Sequence, residues 1–203
     1  MSGVVNLCDK TDFKNADEFK DEIKTICSNG KQNILFYSVH SLQITGNSTE
    51  EDSLGETETM LILLAKGLSD EYNVLVVCSC PKSGIYKDVI YLDVTETTIL
   101  TDINFETAVV YKLIPFKFVI NLKESVNINK LIFWSQDHPM DYDLDVGITK
   151  GIDLFDKIVC ISVDHLNAFG ARFPLCLDED KFVSIVHDAE FVKNWKNLLK
   201  DVS

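Results

Sequence analysis

The residues best suited to chemistry lie in one segment. Trp134, Gln136, Asp137 and His138 follow directly on the apolar run Leu131-Ile132-Phe133 and stop at Pro139. An apolar strand needs no such ending to fold. An imidazole, with an ordinary pKa of about 6.5, can act as a base near neutrality or bond a sugar hydroxyl. Asp137 can orient that imidazole or serve as the base itself, and Trp134 either underlies a ligand or fills the core. Open parallel sheets bind ligands at the carboxyl ends of their strands. The plainer reading of the same residues is a polar turn whose Asp accepts backbone hydrogen bonds.

Three further places carry candidate groups. Asp141, Asp143 and Asp145 alternate, so an extended segment turns all three to one face, as in a Mg²⁺ or Mn²⁺ site beside a diphosphate. In a chain with 32 acidic residues such a triplet also arises by chance. The long loop from Ser38 holds His40 and then runs through Ser53-Leu54-Gly55-Glu56 into a helix. Gly55 permits close approach of a ligand to the backbone, and a helix start offers unpaired N–H groups. Equally, Ser53 and Gly55 only begin the helix. Neither GxGxxG nor GxxxxGK[ST] is present. The last place is Cys160-Ile161-Ser162-Val163-Asp164-His165, where Ser162 is suited to cap a helix and His165 to face a cleft. A hydrolase would want a GxSxG elbow, which is missing.

To hold such groups at strand ends the chain must build a sheet. A helix is expected over residues 12–30, with Asn15 and Glu18 as a capping box, Phe19, Ile23 and Ile26 on one face, and Gly30 closing it. Asn33–Ser38 and Tyr72–Cys78 read as strands around a strongly apolar helix over 56–69, a βαβ unit. Further strands are expected near 88–93, 107–111, 130–135 and 157–162, with crossovers over 113–125 and 163–171. The near-continuous apolar character of Ile34–Tyr37, Val74–Cys78, Leu131–Trp134 and Ile158–Ile161 marks parallel strands covered on both faces. His187 and Asp188 follow one more apolar run, Phe182–Val186. The expected fold is therefore α/β, a Rossmann-like three-layer sandwich with a mainly parallel sheet. Its domain spans 31–190, after a helical extension over 1–30. A C-terminal helix or interdomain connection over 191–203 carries Phe191, Trp195, Leu198 and Leu199.

Bulk properties narrow the function. With 203 residues, 46% of them hydrophobic and 25% charged, the chain reads as one globular domain. A formal charge of −13 argues against nucleic acid or an anionic membrane as partner. No run reaches the roughly 18 apolar residues of a membrane span, and no signal peptide is evident. The six cysteines, without zinc-ribbon spacing, are expected reduced in the cytoplasm. Cys27 and Cys160 read as small core residues; Cys78 and Cys80 form a CxC whose side chains are expected on opposite faces.

Taken in order, these stations resemble the N-terminal half of a GT-B fold glycosyltransferase, most like the retaining GT4 family. The resemblance covers about residues 31–190. It is carried by Gly55-Glu56-Thr57-Glu58 and Leu61-Ile62-Leu63-Leu64-Ala65-Lys66-Gly67-Leu68, then Tyr72–Val76, Phe133–Pro139 and Phe155–Ser162. The family's glycine pair is reduced here to Gly55, and Gln136-Asp137-His138 sets the acid before the histidine. The resemblance implies one half of a GT-B architecture that binds the acceptor and moves a sugar from a nucleotide-sugar co-substrate to a hydroxyl, without metal or other cofactor. It implies Asp137 and His138 near the transferring sugar, Gly55, Glu56, Ser162 and His165 toward the donor phosphate or cleft, and His40, Trp134 and Gln136 toward a sugar or glycan acceptor. The donor-binding domain would be a separate part, in the same longer chain or in trans, and without it activity would be weak. Two alternatives stand: a noncatalytic α/β scaffold domain that meets a protein partner, and a metal-dependent transferase using Asp141 and Asp143.

Overall fold

Alternating apolar runs and amphipathic segments fold, in a computed structural model, into two units, Met1–Ile103 and Asn104–Ser203. The structure describes residues 13, 15–38, 43–44, 54–112, 116–137, 151–173 and 179–202.

The first unit opens with α1 (Ala16–Cys27), where Asn15 Oδ1 accepts from the Glu18 N–H at 2.9 Å and Phe19 and Ile23 turn inward. β1 (Asn33–Ser38) is buried along its whole length, as is β2 (Asn73–Cys78), so both faces of each are covered. α2 (Glu56–Leu68) joins them, and the two strands pair in parallel from Asn33↔Asn73 to Ser38↔Cys78. An amide network pins that register. Asn73 exchanges hydrogen bonds with Asn29 at 3.0 Å in both directions and donates to Asn33 Oδ1 at 2.9 Å. Buried amides that satisfy one another fix alignment where apolar side chains alone could slip.

The strand order in this unit is β3-β4-β2-β1, with β4 (Val89–Asp93) parallel to β2 and the short β3 (Gly84–Tyr86) antiparallel to β4. β3 was not expected from the sequence. Its hairpin turns on Lys87 and Asp88, with φ of 50° and 64°. Two consecutive left-handed residues are what a two-residue hairpin loop requires, and the usual cue for it, Asn-Gly, is absent. A 3-10 helix, Val94–Asp102, follows β4, started by Asp93 Oδ1 accepting from the Thr95 N–H at 3.0 Å.

The second unit carries four parallel strands in sequence order: β5 (Asn104–Tyr111), β6 (Asn127–Ser135), β7 (Lys157–Cys160) and β8 (Phe182–Ser184). α3 (Phe116–Ser125) connects β5 to β6, and α4 (Val163–Arg172) lies between β7 and β8. α5 (Phe191–Val202) ends the chain with Phe191, Trp195, Leu198, Leu199 and Val202 buried, so it packs on this unit. Successive residues of β6 point to opposite faces. Phe133 meets Phe169 of α4 at 6.5 Å between ring centroids, whereas Trp134 meets Trp195 of α5 at 4.9 Å. Helices therefore cover both faces of the sheet. The chain is α/β, with mainly parallel strands and Rossmann-like layering.

Candidate functional site

The register of the second unit assembles a polar row at its strand ends. Ser135 of β6 is the partner of Cys160 in β7, which is in turn the partner of Ser184 in β8. Residues aligned this way in parallel strands share a face. α4 closes over the row: Ser162 Oγ caps it by accepting from the His165 N–H at 3.0 Å, and His165 Nε2 lies 3.1 Å from Ser135 Oγ. The hydroxyl and imidazole exchange one hydrogen bond, its direction set by the tautomer. Ser135 is wholly buried and His165 nearly so. An acyl group cannot reach that hydroxyl, so the pair is a fixed polar floor rather than a nucleophile. Burial pushes the neighbouring Cys160 thiol up to about 12, which makes it an inert wall.

One residue beyond β6, Gln136 is only 8% exposed, and neither its Oε1 nor its Nε2 has a hydrogen-bond partner. The Ser184 Oγ is likewise buried and unpartnered. An amide buried with both ends unsatisfied costs about 1–3 kcal/mol per lost group. Such groups in a native fold ask for a ligand or water to complete them. Asp137 is exposed beside Gln136. The end of β6 therefore offers an amide able to donate and accept, then a carboxylate, directly after the Ser135 that bonds His165. These are neutral and anionic hydrogen-bonding groups, fitted to hydroxyls more than to phosphate.

Trp134 lies inside the core. Its ring has no exposed surface and is surrounded by Tyr111 at 4.7 Å, Trp195 at 4.9 Å and Phe191 at 5.7 Å. It anchors the strand that carries Gln136 and presents nothing to a ligand. His138, His40, Asp141 and Asp143 lie outside the described residues. Among the described residues, no group of three or more His, Cys, Asp or Glu is arranged to hold a metal ion.

Gly55 sits in the first unit as the cap of α2, without a side-chain hydrogen bond of its own. Its missing Cβ leaves room for Glu58: a Cβ built there would lie 2.6 Å from Glu58 Oε2. Glu58 is buried and accepts from Thr57 Oγ1 at 2.9 Å, while Glu56 stands exposed in the same turn. Carboxylates already complement this helix end. A phosphate placed there would meet two like charges.

A second polar edge, in the first unit, was missed. The carboxyl ends of β2 and β4 and the start of α1 wall a cavity of ≈ 640 Å³. Cys80, Ser83, Asp93 and Glu96 line it, opposite Phe13 and Phe19. Asp93 Oδ2 accepts from the Cys80 N–H at 3.2 Å, and Ser83 Oγ accepts from the Asp93 N–H at 2.8 Å while bonding the Glu96 carboxylate. Burial raises the Asp93 carboxyl, yet hydrogen bonds from Thr95 and Cys80 outweigh it and hold the group below its usual range. The expectation that Cys78 and Cys80 diverge is wrong. Residues two apart along a strand share a face, and the two thiols lie close enough for each to shift the other's ionisation. Counted correctly, the CxC at the end of β2 was the one signal in the sequence for this cavity.

Among the described residues no helix is long and apolar enough to cross a membrane. Neither a protein-family model nor a curated protein matches the chain.

Proposed function

We propose that the chain is the acceptor-binding half of a GT-B type glycosyltransferase, moving a sugar from a nucleotide-sugar donor to a hydroxyl acceptor. The observation that carries this reading is Gln136: a buried amide with both ends unpartnered, at the carboxyl end of a parallel strand. An amide donates and accepts at once, which matches a sugar hydroxyl that does the same. Asp137 follows it and is the group we assign as general base, and His138 is the next residue. The acidic first turn of α2 suits a half that leaves the donor phosphates to another domain, in the same longer chain or in trans. Transfer needs groups positioned on both sides of the reacting bond, so this half alone is a weak catalyst. A reducing cytoplasmic setting agrees with the buried, unbridged Cys78, Cys80 and Cys160.

The test is sugar transfer with a donor-binding domain supplied, followed as nucleoside diphosphate released from the nucleotide sugar in the presence of acceptor. Asp137→Asn and His138→Ala are each expected to lower the rate by about 10²-fold or more. Gln136→Leu should raise the acceptor KM at a retained fold. Unchanged rates in all three variants would remove the assignment. Binding of a protein partner instead, with no response to any sugar, would favour the scaffold reading that the charge of −13 allows.

A further inference from the structure

The imidazole of His187 packs at the same strand end as Gln136. β6 and β8, the strands that lead to these two residues, are separated only by β7. Beyond β8 the chain keeps its place beside β7, with the Ile185 N–H donating to the Cys160 carbonyl at 2.9 Å. Two residues later the His187 ring stands edge-on to Trp134, with 6.1 Å between centroids and 88° between planes. It also lies 4.9 Å from the Phe191 ring of α5. The turn that carries it is fixed by Asp188. Asp188 Oδ1 accepts from the Glu190 N–H at 2.9 Å, and its carbonyl accepts from the Phe191 N–H at 3.1 Å. His187 is half-buried, so its ring is packed yet within reach of solvent.

β6 supplies the other group. Ser135 turns toward α4, where it bonds His165, and Trp134 turns toward α5. The same alternation carries Gln136 to the face of Trp134. Gln136 and His187 therefore flank one indole, the first from further along β6 and the second from the end of β8. The Gln136 side chain is more than nine-tenths buried, and both ends of its amide are unpartnered. Such an amide points to a bound molecule that completes it. An imidazole beside it adds a donor or an acceptor according to tautomer, without a fixed charge. The residues that directly follow these two, Asp137 and Asp188, are both acidic and exposed. These surroundings suit a neutral, hydroxyl-rich ring and repel a sugar acid.

We propose that His187 is a second acceptor-binding residue, which with Gln136 holds adjacent hydroxyls of a neutral pyranose. The inference rests on the chain being the acceptor-binding half of a transferase. The Gln136 amide donates to one hydroxyl and accepts from it, and the imidazole bonds the neighbouring hydroxyl. His187 thus orients the sugar and takes no proton from it.

The chain carries two tryptophans, Trp134 and Trp195, whose rings lie 4.9 Å apart in this cluster. Their fluorescence reports occupancy of the strand end in the full chain, with no donor domain added. Titration with the methyl glycosides of glucose, mannose, galactose and N-acetylglucosamine should give a saturable change with at least one of them. His187→Phe, which keeps an aromatic ring against Trp134, should raise that Kd about threefold to tenfold, the worth of one hydrogen bond. His187→Gln, which keeps a donor and an acceptor, should recover most of the loss. The methyl glycoside of glucuronic acid should bind more weakly than that of glucose. Binding that Gln136→Leu weakens and His187→Phe leaves unchanged would overturn the role of His187 while the acceptor reading stands. A glucuronide that binds as tightly as the glucoside would overturn the neutral preference. No saturable change with any of the four glycosides would overturn the inference, and sugar transfer with the donor-binding domain decides the acceptor reading separately.

Discussion

Each of the two units ends its parallel strands in polar residues, and the two edges treat those residues in opposite ways. In the first unit Asp93, Ser83, Thr95 and Glu96 bond one another and the Cys80 backbone, so almost every donor meets an acceptor along the wall of the cavity. In the second, Ser135 and His165 satisfy each other, while the buried Gln136 amide and the Ser184 hydroxyl have nothing to bond. A self-satisfied edge contributes stability whether or not a ligand comes. An edge with orphaned groups gives up stability that a ligand can return, and conflicts of this kind concentrate at functional sites. The edge at β6 is therefore the stronger candidate for substrate, even though an open cavity lies in the other unit.

The largest effect should come from removing what holds the second edge in place. Trp195 is fully buried against Trp134, directly before the Ser135–Gln136 pair. Trp195→Ala should cost about 3–5 kcal/mol in denaturant unfolding, as large-to-small aromatic changes in cores do.

A matched pair of substitutions tests the contrast itself. Ser83→Ala removes an acceptor from the Asp93 N–H and a donor from Glu96, and should destabilise by about 1–3 kcal/mol. Gln136→Leu removes two groups that bond nothing, and should stabilise by a similar or smaller amount, because an apolar group of like size carries no desolvation cost. Opposite signs in denaturant midpoints would sharpen the comparison. A loss of stability in Gln136→Leu would mean that its amide is satisfied in solution, and the case for a ligand there would fall.

The sequence spoke clearly where one residue type answers to one local cause. Asn15 capping α1, the unbroken apolar runs of β1 and β2, and Ser162 heading α4 all follow from nearest neighbours. It was silent where the cause is tertiary. The Lys87-Asp88 turn contains no glycine, so nothing local announces β3. Trp134 could be read as core or platform until Trp195, far along the chain, was seen against it. The cavity draws its walls from α1, the end of β2 and the end of β4, and no spacing in the sequence brings those three together. Gln136 was noticed for its position. That its amide has no partner depends on every surrounding element, which no local pattern encodes.

The smallest expected effect concerns how firmly α1 closes the first edge, since Phe13, Asn15 and Phe19 form one wall of the cavity. Asp102, at the end of the 3-10 helix, pairs with Lys24 at 2.8 Å and Lys20 at 3.5 Å on α1. The hydrogen bond and charge of Lys24, with a smaller part from Lys20, hold its carboxyl below the ordinary value. A lowered folded-state pKa contributes stability that is complete above the unfolded value of about 3.9 and is lost as pH falls through the folded one. Asp102→Asn should therefore lower the unfolding midpoint slightly at neutral pH, and the difference from wild type should close as the pH is taken below that range. Exposed pairs are screened by salt, so added salt at neutral pH should close it too.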